Sequence, residues 1–263
     1  MEYIPPDGYF DGYDRDNPFT RSVDSDVVEF DPLTGNIIKS WDLKKILSDY
    51  MTIQGDTNTL MFNAESWFHA NAAAYDANDN TIVVSSRQNF LIKLNYDTGE
   101  IVWIFGDPRK YWYTIPSLRA KALTLDAGGT YPLGQHAVSI PANGKIMVFN
   151  NGNISGNGHQ VGANETLPNP LHSLVSYYTV NAGAKTAVQD WQYDHPEGLY
   201  SNVCSSAYMA PDQSLLVLYA IPQRMVGLDA SRNIVFDFAY SNTRRCSAFN
   251  ATPVPFGNLN FTK

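Results

Sequence analysis

The chain has 263 residues, 44% hydrophobic, 13% aromatic and 17% charged, with a formal net charge of −8. That length can bury a full core and that composition is globular, with no low-complexity tract. The acidic balance, with Lys and Arg scattered, leaves no electrostatic case for nucleic acid, and no apolar run approaches the ~18 to 20 residues of a membrane span.

Residues 1–23 are rich in Pro, Gly, Tyr and Asp without periodicity, and predict an irregular lead-in to one domain over 24–263. The start, Met1 to Pro6, lacks the basic and apolar regions of a signal peptide. A hairpin follows, Val27 to Asp31 and Ile37 to Trp41, turning at Pro32-Leu33-Thr34-Gly35. Asp42 then caps a short helix in which Leu43, Ile46, Leu47 and Tyr50 share one face.

From Glu65 to Gly106 four strand-like segments alternate with Asn, Asp and Gly turns. Such a four-stranded antiparallel unit of about forty residues has the length of a β-propeller blade. A long connection, Asp107 to Leu133, carries Tyr111-Trp112-Tyr113, and a loop above ~15 residues in a compact domain is usually functional. Its aromatic cluster is either a hydrophobic plug between blades or a candidate surface on which a substrate ring could stack.

The next unit opens at Gly134-Gln135-His136, is interrupted by a Gly/Asn-rich insertion (151–170), and resumes at Ser173. Another unit runs from Asn202 to Phe238, and Cys246 to Ala251 resembles the opening strand of one more. The expected fold is an all-β propeller of about four blades. The N-terminal hairpin and the last strand could share a blade and close the ring, or the chain could be the C-terminal part of a larger propeller.

The candidate site follows from spacing. His69 lies eight residues before the turn at Ala77, and His136 six before the turn at Ala142. Both intervals are even, so along regular strands the two side chains face the same way. Arg87 ends the second strand of the first unit, beside the start of the strand that follows His69. Two imidazoles and a guanidinium at one channel mouth make a site for a tetrahedral anion. Asn71 shares the parity of His69 and is placed to donate a hydrogen bond deeper in the channel. Taken singly, each of these residues is most simply structural; their convergence carries the argument. His159 and His195 read as loop residues, and His172 as a weaker candidate for the same rim.

Several of these stretches resemble the bacterial arylsulfate sulfotransferases. They are Trp67-Phe68-His69-Ala70-Asn71, Ser85-Ser86-Arg87, Thr98 to Gly106, Gly134-Gln135-His136 and Phe149-Asn150-Asn151-Gly152. The resemblance covers about residues 24 to 250. It implies a six-bladed, periplasmic or exported enzyme that moves a sulfuryl group between phenols without a nucleotide donor or other cofactor. It further implies His136 as a nucleophile forming a transient sulfohistidine, with His69, Asn71 and Arg87 around the sulfuryl group. The partners implied are a small aryl sulfate and a phenol. Two features of the family are missing: a further active-site His in an earlier blade, and a disulfide before the nucleophile, since 107–135 contain no Cys. The chain is thus expected to be a truncated member, and a bridge between Cys204 and Cys246 stays open.

Two other readings compete. One is a non-catalytic propeller scaffold binding a peptide or sugar, for which His136 would be dispensable. The other is a metal-dependent hydrolase with His69, His136 and His172 as ligands, which the neighbouring cation Arg87 opposes. The absence of G-x-x-x-x-G-K-[ST] argues against a P-loop nucleotide site.

Overall fold

The computed structural model describes residues 26–58, 60–63, 67–152, 172–241, 248 and 250–253. The expected lead-in, His159, most of the Gly/Asn insertion, and Cys246 lie outside these.

The chain opens with the expected hairpin, β1 (Asp26–Phe30) and β2 (Ile37–Asp42), which form a two-stranded sheet. Asp42 then caps α1 (Leu43–Ile53) by accepting a hydrogen bond from the Lys45 backbone N–H at 2.8 Å. Leu43, Leu47 and Met51 are buried, so the 3.6-residue period supplies the packed face.

The first full blade is β3 (Ala70–Asp76), β4 (Thr81–Ser86), β5 (Leu91–Asn95) and β6 (Ile101–Phe105), hydrogen-bonded in that order. The long connection then forms a short helix, α2 (Pro116–Arg119), and β7 (Thr124–Leu125). The second blade is β8 (His136–Ser139), β9 (Lys145–Asn150), β10 (Leu174–Asn181) and β11 (Thr186–Asp194). Strand β7 adds a fifth, parallel strand to its outer edge by pairing with β11. The third is β12 (Ser206–Met209), β13 (Leu215–Tyr219), β14 (Arg224–Leu228) and β15 (Ile234–Ala239).

Innermost strands of successive blades lie against one another, β3 against β8 and β8 against β12. This is an all-β propeller architecture of four-stranded antiparallel blades. The terminal strand expected from Cys246 falls mostly outside the described residues, and β1–β2 pairs with no third strand among them.

The cores lie between blades, because strand side chains alternate. On β4, Ile82 and Val84 face the α1 side with Phe90, Ile92 and Trp112, whereas Val83 faces the second blade with Leu91, Trp103 and Phe105. On β9, Ile146 and Val148 meet that same cluster, while Met147 and Phe149 turn to Ala207, Val217 and Tyr219 of the third blade. Second strands are buried on both faces, which is why they read as unbroken apolar runs.

The chain leaves the first blade through Gly106, where a Cβ would stand 2.7 Å from Phe90 Cβ and 2.8 Å from the Asn89 carbonyl. Neither atom can swing away. Gly106→Ala is therefore expected to lower unfolding free energy by about 1–3 kcal/mol in urea denaturation, the cost of overpacking a close-packed site.

Candidate active site

His69 precedes β3 and its carbonyl accepts the Arg87 backbone N–H at 3.1 Å. Arg87 itself follows β4, in the turn to β5, so the two residues flank one end of the same hairpin. The turn is pinned from below: Asn89 Nδ2 donates to the Trp67 carbonyl at 2.5 Å, and the Ser86 hydroxyl donates to the Phe68 carbonyl. His69 has a left-handed backbone (φ 53°), which a non-glycine residue adopts only where its surroundings hold it.

His136 comes from the next blade, and Gln135 joins the two. The Gln135 side chain is fully buried and its Nε2 donates to the Ser86 carbonyl at 2.7 Å. In the other direction Asn71 Nδ2 donates to the Gln135 carbonyl at 2.7 Å. The first bond fixes the residue before His136 to the residue before Arg87, and the second ties it to β3. Asn71 thus acts as a stitch between blades through one of the two N–H donors of its amide.

The spacing argument assumed regular strands, and neither first strand is regular. One extra residue interrupts β3 between Ala70 and Ala72, and another interrupts β8 between His136 and Ser139. His69 and His136 each lie within electrostatic range of Arg87, and His69 within range of His136. Burial lowers the His69 pKa to about 4, helped by the charges of Arg87 and His136. Burial likewise takes His136 to about 4, with Arg87 contributing against two hydrogen bonds that favour its protonated form. Both imidazoles are therefore neutral near pH 7. Arg87 is half-buried, burial disfavours its charge, and no carboxylate among the described residues pairs with it.

The hydrogen bonds of His136 define its tautomer. Its Nδ1 lies 2.8 Å from Asn151 Oδ1 and 3.1 Å from the Gly134 carbonyl. The Asn151 amide cannot be reversed, because its Nδ2 donates to the Ser201 carbonyl at 2.7 Å and the Cys204 carbonyl at 2.9 Å. Both neighbours of Nδ1 are acceptors, so Nδ1 carries the proton and Nε2 keeps its lone pair. The Ser173 hydroxyl braces this arrangement by donating to the Asn151 carbonyl at 3.0 Å.

The aromatic cluster of the long connection is turned elsewhere. Trp112 is buried in the first core, edge-on to Phe90 at 5.3 Å and to Tyr113 at 5.4 Å. The Tyr113 ring lies under Arg119, and the Tyr111 hydroxyl accepts from Asn58 Nδ2 at 2.7 Å. Trp112 is therefore a packing residue, and Tyr111 and Tyr113 lie partly buried against the same core. The neighbouring Lys110 goes inward instead, and its Nζ donates to the Gln88 carbonyl at 2.5 Å, one residue beyond Arg87. Nothing in the local sequence marks that burial.

His172 and His195 serve the blades. His172 Nδ1 contacts Asp194 Oδ1 at 2.7 Å, so it does not join His69 and His136. His195 follows β11 as expected but is buried, edge-on between Tyr193 and Tyr219, with Nε2 3.2 Å from Asp237. Among the described residues no group of three His, Cys, Asp or Glu side chains is placed to hold a metal ion. Cys204 is disulfide-bonded, and Cys246 is the only other cysteine of the sequence.

The two histidines give the fold a defined acid sensitivity. An unfolded imidazole binds a proton below 6.5, whereas these two do so in the fold only below about 4. Unfolding therefore takes up protons between those values, and stability should fall as pH drops through that window. Urea denaturation at pH 4.5 and pH 7 is expected to show this loss, and His69→Gln with His136→Gln is expected to reduce it. Gln135→Ala, which strands the buried Ser86 carbonyl, should cost about 1–3 kcal/mol in the same assay.

Comparison with known proteins identifies the family. The family model for arylsulfotransferase (ASST) matches residues 11–243. The arylsulfate sulfotransferase AssT of Escherichia coli O6:H1 (strain CFT073) is 24% identical over 249 residues, covering 76% of this chain and 40% of that protein. The same-named protein of Lelliottia amnigena is 25% identical over 237 residues, covering 73% of this chain and 38% of its own length. The chain thus spans about two fifths of the length of these curated relatives. Among solved structures, BamB from Moraxella catarrhalis aligns with a TM-score of 0.35 at 14% identity, covering 65% of this chain and 36% of that one. The β-propeller domain of Cps50 (Swd1) from Myceliophteria thermophila aligns with a TM-score of 0.39 at 8% identity, covering 65% and 43%. With a family match over most of its length, the chain belongs to the arylsulfotransferase (ASST) family.

Proposed function

We propose that this chain carries a sulfuryl-transfer site in which His136 is the nucleophile, an aryl sulfate the donor and a phenol the acceptor. The observation that carries the reading is the Nδ1–H tautomer of His136, held by Asn151 and Gly134, which leaves a neutral Nε2 lone pair near an uncompensated Arg87. A nucleophile must be deprotonated and a sulfuryl group must be held by a cation; both conditions are met here.

In the first half-reaction Nε2 attacks sulfur, the N–S bond forms, the S–O bond to the aryl group breaks, and a phenolate leaves. Positive charge then develops on the imidazole, where the acceptors at Nδ1 strengthen their hold. That stabilisation grows toward the transition state, so it accelerates the step. Arg87 meets the charge spread over the sulfuryl oxygens. In the second half the acceptor phenol loses its proton to a base and its oxygen attacks sulfur. The N–S bond then breaks and the neutral imidazole returns. His69, neutral in the free site, is the available base, and acquires positive charge only as it takes that proton.

This two-step route makes the exchange ping-pong, with no nucleotide donor and no cofactor. An exported or periplasmic location belongs to the same reading, supported by the disulfide at Cys204, since disulfides persist in oxidising compartments.

Incubation with a chromogenic aryl sulfate and no acceptor should leave an adduct of about 80 Da, the mass of SO₃, on His136 by tandem mass spectrometry. His136→Ala should lose both adduct and turnover. Arg87→Ala should lower kcat/KM by about 10²- to 10³-fold, the loss seen when one preorganised oxyanion donor is removed. An adduct on His69, or turnover by His136→Ala, overturns the assignment.

A further inference from the structure

Behind Arg87 lies a second cation that the reaction scheme does not use. Lys110 is only 8% exposed, and its Nζ donates to the Gln88 carbonyl at 2.5 Å, in the turn that bears Arg87. No carboxylate among the described residues forms an ion pair with it. The nearest candidate, Asp107, belongs to its own segment and is occupied by Arg109, whose Nη2 lies 2.5 Å from Asp107 Oδ2. Burying an ammonium without a counter-charge is costly, and placing it near a second unpaired cation raises the cost. A bound anion would offset both.

We propose that Lys110 is a positioning residue of the anion site: it anchors the Arg87 turn through the Gln88 carbonyl and adds a second positive charge toward a bound anion. The ligand is a sulfate-like oxyanion, and the inference rests on reading the Arg87 rim as an anion site, though not on turnover.

The groups that bear on the Lys110 charge are Asp107 and Arg109 of its own segment and Arg87 of the β4–β5 turn. Burial lowers its pKa to about 8, opposed by Asp107 and assisted by Arg87. Lys110 is therefore charged at pH 7 and loses its proton as pH rises through about 8. Anion binding should weaken over the same interval, because a neutral amine keeps the hydrogen bond to Gln88 but contributes no charge.

The test is the thermal shift produced by inorganic sulfate at constant ionic strength, from pH 6.5 to 9.5. The Arg87→Gln variant serves as baseline for the general stabilising effect of sulfate. In the wild type the sulfate-specific shift should shrink through about pH 8. Lys110→Arg, which cannot deprotonate, should keep its shift across the range. Lys110→Met should bind sulfate about tenfold more weakly at pH 7, with no pH dependence.

A Lys110→Met protein that is less stable without sulfate but shows the full sulfate-specific shift would reduce Lys110 to a packing residue and overturn the proposal. So would wild-type and Lys110→Arg profiles that coincide, a comparison that decides the matter even if Lys110→Met does not fold. The absence of any sulfate-specific shift in the wild type overturns it too. A Lys110-dependent shift in a protein that forms no sulfohistidine would uphold this inference while removing the proposed nucleophile.

Discussion

Gln135 is the residue on which the site depends. Its amide reaches back to the Ser86 carbonyl while its own carbonyl receives Asn71, so two bonds of 2.7 Å join the inner rims of neighbouring blades. Hydrophobic contact alone would let two blade faces slide, since apolar packing has little direction. A buried amide that must satisfy fixed backbone groups has direction, and any slip would leave those groups unpaired. His136 follows Gln135 and Arg87 follows Ser86, so the stitch that sets the blade register also sets the separation of these two side chains.

Around that stitch the electrostatics are one-sided. Arg87 and Lys110 bring positive charge with no carboxylate ion pair among the described residues, and burial keeps His69 and His136 neutral beside them. In most interiors a buried cation is matched at once. Here the rim is left short of negative charge, and its donors are fixed before any ligand arrives, which avoids reorganisation when the ligand binds. Asn151 completes the arrangement from the opposite side. Two backbone carbonyls hold its amide, and its oxygen decides which nitrogen of His136 is available.

The long connection between the first two blades has two structural uses. Its rings fill the first core, and Leu123 and Leu125 enter the second as β7 joins the outer edge of the next blade. Anchored at both levels, the segment is rigid enough to hold the Lys110 ammonium against the Gln88 carbonyl. Its length reflects the path around the outside of a blade.

Much of this was readable from the chain by itself. The Asn, Asp and Gly turns and the unbroken apolar second strands announce four-stranded blades. Asp42 marks the start of α1, and the stretches bearing His69, Arg87 and His136 mark the family. These are local properties, written in turn chemistry and in the two-residue period of a strand. The extra residues in β3 and β8 are not local, since a bulge exists only relative to a partner strand. The same holds for Asn71, whose amide is used by a carbonyl on another blade, and for Lys110, a charged residue among charged and aromatic neighbours. The composition of Tyr111-Trp112-Tyr113 foretold apolar contact, but not whether the contact would be a ligand or the Phe90 ring. Tertiary packing made each of those decisions, because burial and hydrogen-bond partnership depend on which distant segment arrives, and a linear period carries no record of that.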